Sequence, residues 1–255
     1  MPKVSTRFSK GLGWLQFWSF FKDANRSIVK STVFKVLLLF CVFLLVSDIA
    51  NGFEYFGLKS YPITYKMIDS ITSASSLFMM ITIIFFSGEL IWRDRMANID
   101  EVIGTTPHHS LSKLMAQLLS IVWVCILIYA FFALLAIGYQ FIEGFTQIEY
   151  SLYLTELLYD QLPTFIFMAS LHLFIQVTVN HRYLGYFISI LSLFVLDILW
   201  TILDIESRML SLGSTPPLFY SDMNSYGPGF TGAMWFNLYW VLLGFLLLAI
   251  AGTLV

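Results

Sequence analysis

Charge is what this sequence has least of. Only 12% of its 255 residues are Asp, Glu, Lys or Arg, whereas a soluble domain carries about 25%. Hydrophobic residues make up 58%, and the mean hydropathy is +0.78. A water-soluble fold could not bury this much apolar side chain, so the surplus must face lipid. The composition predicts an integral membrane protein, and the formal net charge of -2 argues against a nucleic-acid partner.

Catalytic motifs are also missing. The H-E-x-x-H motif of zinc peptidases is absent, because Glu follows none of the four histidines, His108, His109, His172 and His181. The chain also lacks the G-x-x-x-x-G-K-[ST] loop that binds ATP. The two cysteines, Cys41 and Cys125, lie inside apolar runs, which predicts buried packing rather than a disulfide or metal site. We therefore predict a protein that is not an enzyme and needs no cofactor.

Apolar runs long enough to cross a bilayer, which takes about 20 residues, occur six times. They cover residues 33–50, 71–90, 114–139, 162–179, 183–203 and 233–255. Pro163 would then lie in the first turn of the fourth span, where its missing N–H does no harm. The prediction is an all-α membrane protein with a 1–32 N-terminal segment and a 33–255 six-span domain.

The distribution of basic residues predicts the orientation. Lys and Arg concentrate in the N-terminal segment and in the loops that lie on the same side of the membrane as it. Acidic residues, including Glu156 and Asp160, favour the opposite loops. Both termini are therefore expected in the cytoplasm. The long 205–232 connection would be an outer loop or a re-entrant segment.

The N-terminal segment has the pattern of a helix that lies on the membrane. Trp14, Leu15, Phe17, Trp18 and Phe21 share one face at 3.6 residues per turn, and polar residues share the other. Such a helix suits the headgroup region. The alternative is that these aromatics pack against the first span.

A second amphipathic segment follows the second span. Trp92, Met96, Ile99 and Ile103 form one stripe, charged residues occupy the other faces, and Gly104 and Pro107 end the pattern. This predicts a short helix at the cytoplasmic face. It would dock on a cytosolic protein or lie on the membrane, and the alternative is a solvated loop helix.

Several segments carry a resemblance to a known family. They are G-E-L-I-W-R-D-R (88–95), I-D-E-V-I-G-T-T-P (99–107) with Lys113, Tyr61-Pro62, PPLFYSDMNSYG (216–227) and WFNLYW (235–240). Together they resemble type-2 ABC exporter permeases over roughly residues 17–255. More narrowly, they resemble the membrane half of bacterial proteins in which such a permease is fused to a zinc aminopeptidase domain.

The resemblance implies the permease half of an ATP-driven exporter in the bacterial cytoplasmic (inner) membrane. Its partners would be a separate ABC ATPase subunit, a second permease half and the lipid bilayer. The connecting helix would couple to the ATPase through Glu89, Arg93, Arg95, Ile99, Asp100, Glu101, Thr106 and Pro107. The chain ends at Val255 inside an apolar run, which suggests half of a transporter or a piece of a longer chain. The competing hypothesis is a membrane anchor that presents a peptidase or other partner without transport.

Polar residues inside the spans are further candidates. Asp197, Thr201, Asp204 and Arg208 recur at helical spacing in the fifth span and either line an outer vestibule or are satisfied by neighbouring helices. His172 and Gln176, four residues apart, predict a hydrogen-bond site between helices.

Overall fold

The computed structural model describes residues 12–51, 54–55, 58–59, 61–98, 110–204, 207–218, 220–221 and 223–254, and within these ranges it is nearly all helical. The helices are α1 (Leu12–Lys30), α2 (Thr32–Asn51), α3 (Thr64–Met96), α4 (Ser110–Ile142), α5 (Tyr150–Leu154), α6 (Gln161–Thr178), α7 (Arg182–Ile202) and α8 (Gly229–Leu254). A π-helical segment, Thr155–Asp160, joins α5 to α6. Two short antiparallel strands, β1 (Glu54–Tyr55) and β2 (Leu58–Lys59), lie between α2 and α3.

Six helical stretches among the described residues are long and apolar enough to cross a membrane, as predicted. They are α2, α3, α4, the continuous stretch from α5 to α6, α7 and α8. α3, α4 and the α5–α6 stretch are about half buried and form the centre of the bundle, while α2, α7 and α8 bury less and lie around them. α3 and α4 have 33 residues each, so each is about 50 Å long against a hydrocarbon core of about 30 Å.

The predicted start of the fourth span was wrong. The helix runs without interruption from Tyr150 to Thr178, so Pro163 lies well inside it and Glu156 and Asp160 belong to it rather than to a loop. The helix continues because it changes its hydrogen-bond pattern just before Pro163. In an α-helix the proline ring would clash with the carbonyl of Tyr159, four residues earlier. The π-helical segment ends next to this carbonyl, and the side-chain amide of Asn237 donates to it at 3.3 Å.

α1 packs chiefly on α4, rather than on the first span. Ala24 and Ile28 of α1 are buried, and the hydroxyl of Ser120 on α4 donates to the carbonyl of Phe21 at 3.0 Å. The aromatic residues at the start of α1 stay more open, and Trp14 is 64% exposed. A membrane surface for these rings stays a prediction.

Candidate functional site

The last turns of α3 carry the first part of the predicted coupling segment. α3 runs unbroken to Met96, so Trp92 does not begin a separate helix. Trp92 is buried, and its indole N–H donates to the side-chain carbonyl of Gln176 on α6 at 2.8 Å. The amide of Gln176 lies 3.4 Å from the hydroxyl of Ser189 on α7. Gln176 therefore joins three helices, which confirms the predicted interhelical role for this residue.

His172 behaves differently. Both of its ring nitrogens are buried, and neither has a hydrogen-bond partner among the described residues. Among the described residues, His172 does not share the hydrogen-bond site of Gln176, so that expectation was wrong.

Charged residues at this end of α3 form ion pairs with other elements. Glu89 accepts from Arg182 of α7 at 3.0 Å, and Arg93 pairs with Asp23 of α1 at 2.5 Å. Asp94 pairs with Lys113 of α4 at 2.7 Å. Four helices are thus linked through α3, and we call these residues the α3 ion-pair network. Its side chains range from the mostly buried Asp94, which is 13% exposed, to the mostly exposed Asp23, which is 63% exposed.

Arg95 has a different environment. Its guanidinium donates to the carbonyl of Val177 at 3.3 Å and lies 5.0 Å from the ring centre of Trp92. The carbonyl belongs to the last turn of α6, where a cation is favourable. Of the predicted coupling residues, Glu89, Arg93 and Arg95 are therefore brought together and hold the bundle. Others lie outside the described residues, namely Ile99, Asp100, Glu101, Thr106 and Pro107.

The turn that follows the network is exposed. Met96, Ala97 and Asn98 are exposed, and Asn98 has a positive φ of 51° that ends the helix. A guanidinium nitrogen of Arg182 lies 3.0 Å from the sulfur of Met96. These three residues belong to the described surface that a partner could reach at this end.

At the opposite end, a cleft of about 400 Å³ opens between α3 and the π-helical segment. Sequence reasoning missed it. We call it the acidic cleft, and it is lined by Tyr65, Ile68, Asp69, Thr72, Leu152, Glu156, Gln161, Leu218 and Tyr220. No Lys or Arg among the described residues forms an ion pair with Asp69 or Glu156. Burial and then the neighbouring Glu156 raise the pKa of Tyr226, whose ring centre lies 5.4 Å from that of Tyr220 in the cleft.

The acidic cleft had one signal in the sequence. Glu156 and Asp160 precede a proline by seven and three residues, and a polar, proline-containing stretch at a span boundary is compatible with a continued but irregular helix. π-Helical turns are frequent at functional sites. Because Pro163 was interpreted as part of the first turn of the fourth span, an irregular helix that continues through the proline was not predicted.

The predicted vestibule is not brought to the acidic cleft. Thr201 is exposed at the end of α7, and Asp204 follows in a turn with a positive φ of 52°. The side chain of Asp197 lies outside the described part of the structure. A vestibule role for these residues stays a prediction.

The WFNLYW segment (235–240) has a packing explanation. Asn237 donates to the Tyr159 carbonyl, Tyr239 donates to the carbonyl of Met209 at 3.3 Å, and Trp240 donates to that of Ser214 at 2.9 Å. The first bond joins α8 to the π-helical segment, and the other two attach the connection before α8 to this helix.

Comparison with protein-family models and with curated protein sequences finds no match to this chain, so its function has to be argued from its residues and their geometry.

Proposed function

We propose that this chain is the permease half of an ATP-driven ABC exporter, coupled to a separate ATPase subunit at the Met96 end of α3. One observation carries the proposal. α3 is a single helix that bears Asp69 and Thr72 of the acidic cleft near its start and the ion-pair network at its end. A rigid helix that joins a solute-facing cleft to a partner-facing end is a physical means of coupling the two.

The cleft itself supports transport over simple anchoring. Ionisable residues within spanning segments are costly and commonly line substrate or ion pathways. Asp69 and Glu156 face a concave, partly polar space rather than lipid. A membrane anchor has no need of such a space. The acidic cleft would face outward if the termini are cytoplasmic, as the distribution of basic residues predicts.

The coupling surface is proposed to be the turn at Met96, Ala97 and Asn98 together with the residues that follow it. Arg93 and Arg95 would act indirectly, because they already contact Asp23 of α1 and the Val177 carbonyl of α6. Reversing those charges would disturb the fold and could not isolate an interface. The second permease half, a copy of this chain or a different membrane half, would use the exposed side of α7, which includes Phe187, Phe194 and Ile198.

A photo-crosslinking experiment tests the proposal. The amino acid p-benzoylphenylalanine is placed at Ala97 in the full chain, and crosslinked proteins from intact cells are identified by mass spectrometry. Ser207 is the matched control, because it is exposed at the opposite end of the bundle. We expect Ala97 to capture a protein that contains a G-x-x-x-x-G-K-[ST] loop, and Ser207 to capture none.

The same experiment separates the competing hypothesis. An anchor that presents a peptidase would give a crosslink from Ala97 to a protein with H-E-x-x-H and none to an ATPase. That result would overturn the exporter proposal. Crosslinks to an ATPase of equal yield from both positions would show that the Met96 end is not the coupling surface.

A further inference from the structure

A second cavity, of about 430 Å³, opens between α1 and the ion-paired end of α3. Its side on α1 consists of Asp23, Arg26, Ser27 and Lys30, and Ser31 lies at the corner between α1 and α2. We call it the α1 cavity. It is separate from the acidic cleft, which lies near the other end of α3.

The α1 cavity carries an excess of positive charge. Its two acidic residues are already paired, Asp23 with Arg93 and Glu89 with Arg182. Arg26 and Lys30 have no acidic partner among the described residues. Two uncompensated cations therefore line one cavity, next to two hydroxyl groups. This combination recognises an anion with several acceptor oxygens.

The spacing of the cations fits one such anion. Arg26 and Lys30 are four residues apart on α1, which places their Cβ atoms about 6 Å from each other on one face. Both long side chains can therefore reach a single phosphate group.

The two helices that carry the Arg26–Ser31 side of the α1 cavity also expose apolar side chains. Nearer the start of α1, Trp14 and Trp18 are exposed and contact each other, with ring centres 5.7 Å apart. α2 exposes Val36, Phe40 and Phe43, which lie on one face. Indole rings favour the headgroup level of a bilayer, and the face of α2 suits acyl chains. A free inorganic anion would gain nothing from contact with either apolar surface, whereas a lipid would bury both.

We propose that the α1 cavity binds the phosphate of an anionic phospholipid headgroup, with Arg26 and Lys30 on its oxygens. Ser27 and Ser31 donate hydrogen bonds, and the acyl chains lie along the exposed face of α2. The bound lipid would fix α1 against the end of α3. The proposal does not depend on the exporter function, because it uses only the charges and surfaces of α1, α2 and α3.

Lipid binding to the full purified chain in a zwitterionic detergent tests this. Bound phosphatidylglycerol and phosphatidylcholine are counted by native mass spectrometry, and inorganic phosphate is titrated separately. The test variant is the double substitution Arg26→Gln and Lys30→Gln. The matched control is Lys22→Gln and Lys35→Gln, which removes two exposed charges from the same end without touching the cavity.

The test variant should bind phosphatidylglycerol at least about tenfold more weakly, because each basic residue near an anionic headgroup contributes substantially. The control should change less than about twofold on the same scale. Arg26→Lys with Lys30→Arg should keep the binding, which separates lost charge from lost structure. Phosphatidylcholine binding should be the same in all of them.

Three results would overturn the proposal. Equal losses in the test and control variants would show diffuse attraction by the whole basic surface. Unchanged phosphatidylglycerol binding in the test variant would exclude the cavity. If inorganic phosphate alone binds the parent as tightly as the lipid and displaces it, the site takes free phosphate instead.

Discussion

The two ends of α3 use their charges in opposite ways. At the Met96 end, Glu89, Arg93 and Asp94 are each paired with a charge on another helix. At the Thr64 end, Asp69 and Glu156 face a cleft without a basic partner among the described residues. Paired charges hold helices in one arrangement, while unpaired charges in a concave space remain available to a cation, to water or to a ligand. The charges at the Met96 end therefore join helices to one another, while Asp69 and Glu156 face the space of the acidic cleft.

The largest expected effect on stability comes from filling the contact between α6 and α7 near the ion-pair network. A Cβ added to Gly185 would lie 2.4 Å from the side-chain oxygen of Gln176, which Trp92 holds in place. We expect Gly185→Leu to lower the free energy of unfolding by about 1–3 kcal/mol through overpacking. Thermal unfolding in detergent measures this. Gly138→Leu is the control, because no atom lies within 4 Å of its added Cβ, and equal losses in both would contradict the prediction.

The next effect concerns the irregular helix beside the acidic cleft. Asn237→Leu removes the donor to the Tyr159 carbonyl, and leaving a buried acceptor unpaired costs about 1–3 kcal/mol, at the lower end in membranes. Pro163→Ala restores a backbone N–H that can bond to the same carbonyl. The loss caused by Asn237→Leu should therefore be smaller in a Pro163→Ala background. A double-mutant cycle on unfolding midpoints checks this, and purely additive effects would disprove the link between the two residues.

A smaller effect is expected from a single ion pair of the network. Glu89 and Arg182 are both about 30% exposed, so solvent screens their attraction. A double-mutant cycle with Glu89→Gln and Arg182→Gln should give a coupling of about 0.6 kcal/mol and at most about 2. A coupling near zero would mean that the network orients α7 without stabilising it.

The smallest effect on stability, with a clear effect on reactivity, is expected in the acidic cleft. Thr72→Cys, in intact cells, should react several-fold faster with a cationic, membrane-impermeant thiol reagent than with an anionic one, because Asp69 and Glu156 attract cations. Both native cysteines are buried and give little background.

Two controls accompany the Thr72→Cys labelling. Adding Asp69→Asn and Glu156→Gln should remove the preference for the cationic reagent while leaving the unfolding temperature nearly unchanged. Ser110→Cys, at the other end of the bundle, should not react from outside. Labelling of Ser110→Cys instead of Thr72→Cys would reverse the predicted orientation.

Particular residues show how far the sequence could lead. The six apolar helices followed from hydropathy, and the bounds of α2 and α7 were predicted to within one or two residues. α3 was predicted too short at both ends, because polar residues that pair with other helices look like loop residues in a hydropathy pattern. Gln176 was identified as a contact between helices, but its partners Trp92 and Ser189 belong to other helices, 84 and 13 residues away in the chain. No periodicity within one helix contains that information.

What the sequence determined by itself is that apolar helices of membrane-crossing length must form, since backbone groups in lipid can be satisfied only within a helix. Only the tertiary structure decided which charged side chains form ion pairs and which face the acidic cleft without a basic partner among the described residues. Arg93 and Arg95 looked like a surface for a partner, but in the folded chain they contact Asp23 of α1 and the Val177 carbonyl of α6. Glu156 looked like a loop residue, but it lies in a helix beside the acidic cleft. Asn237, 81 positions later in the chain, helps to hold that helix through its bond to the Tyr159 carbonyl. The physical reason is that an ionisable group acquires its role from the groups within a few ångströms of it, and those come from distant parts of the chain.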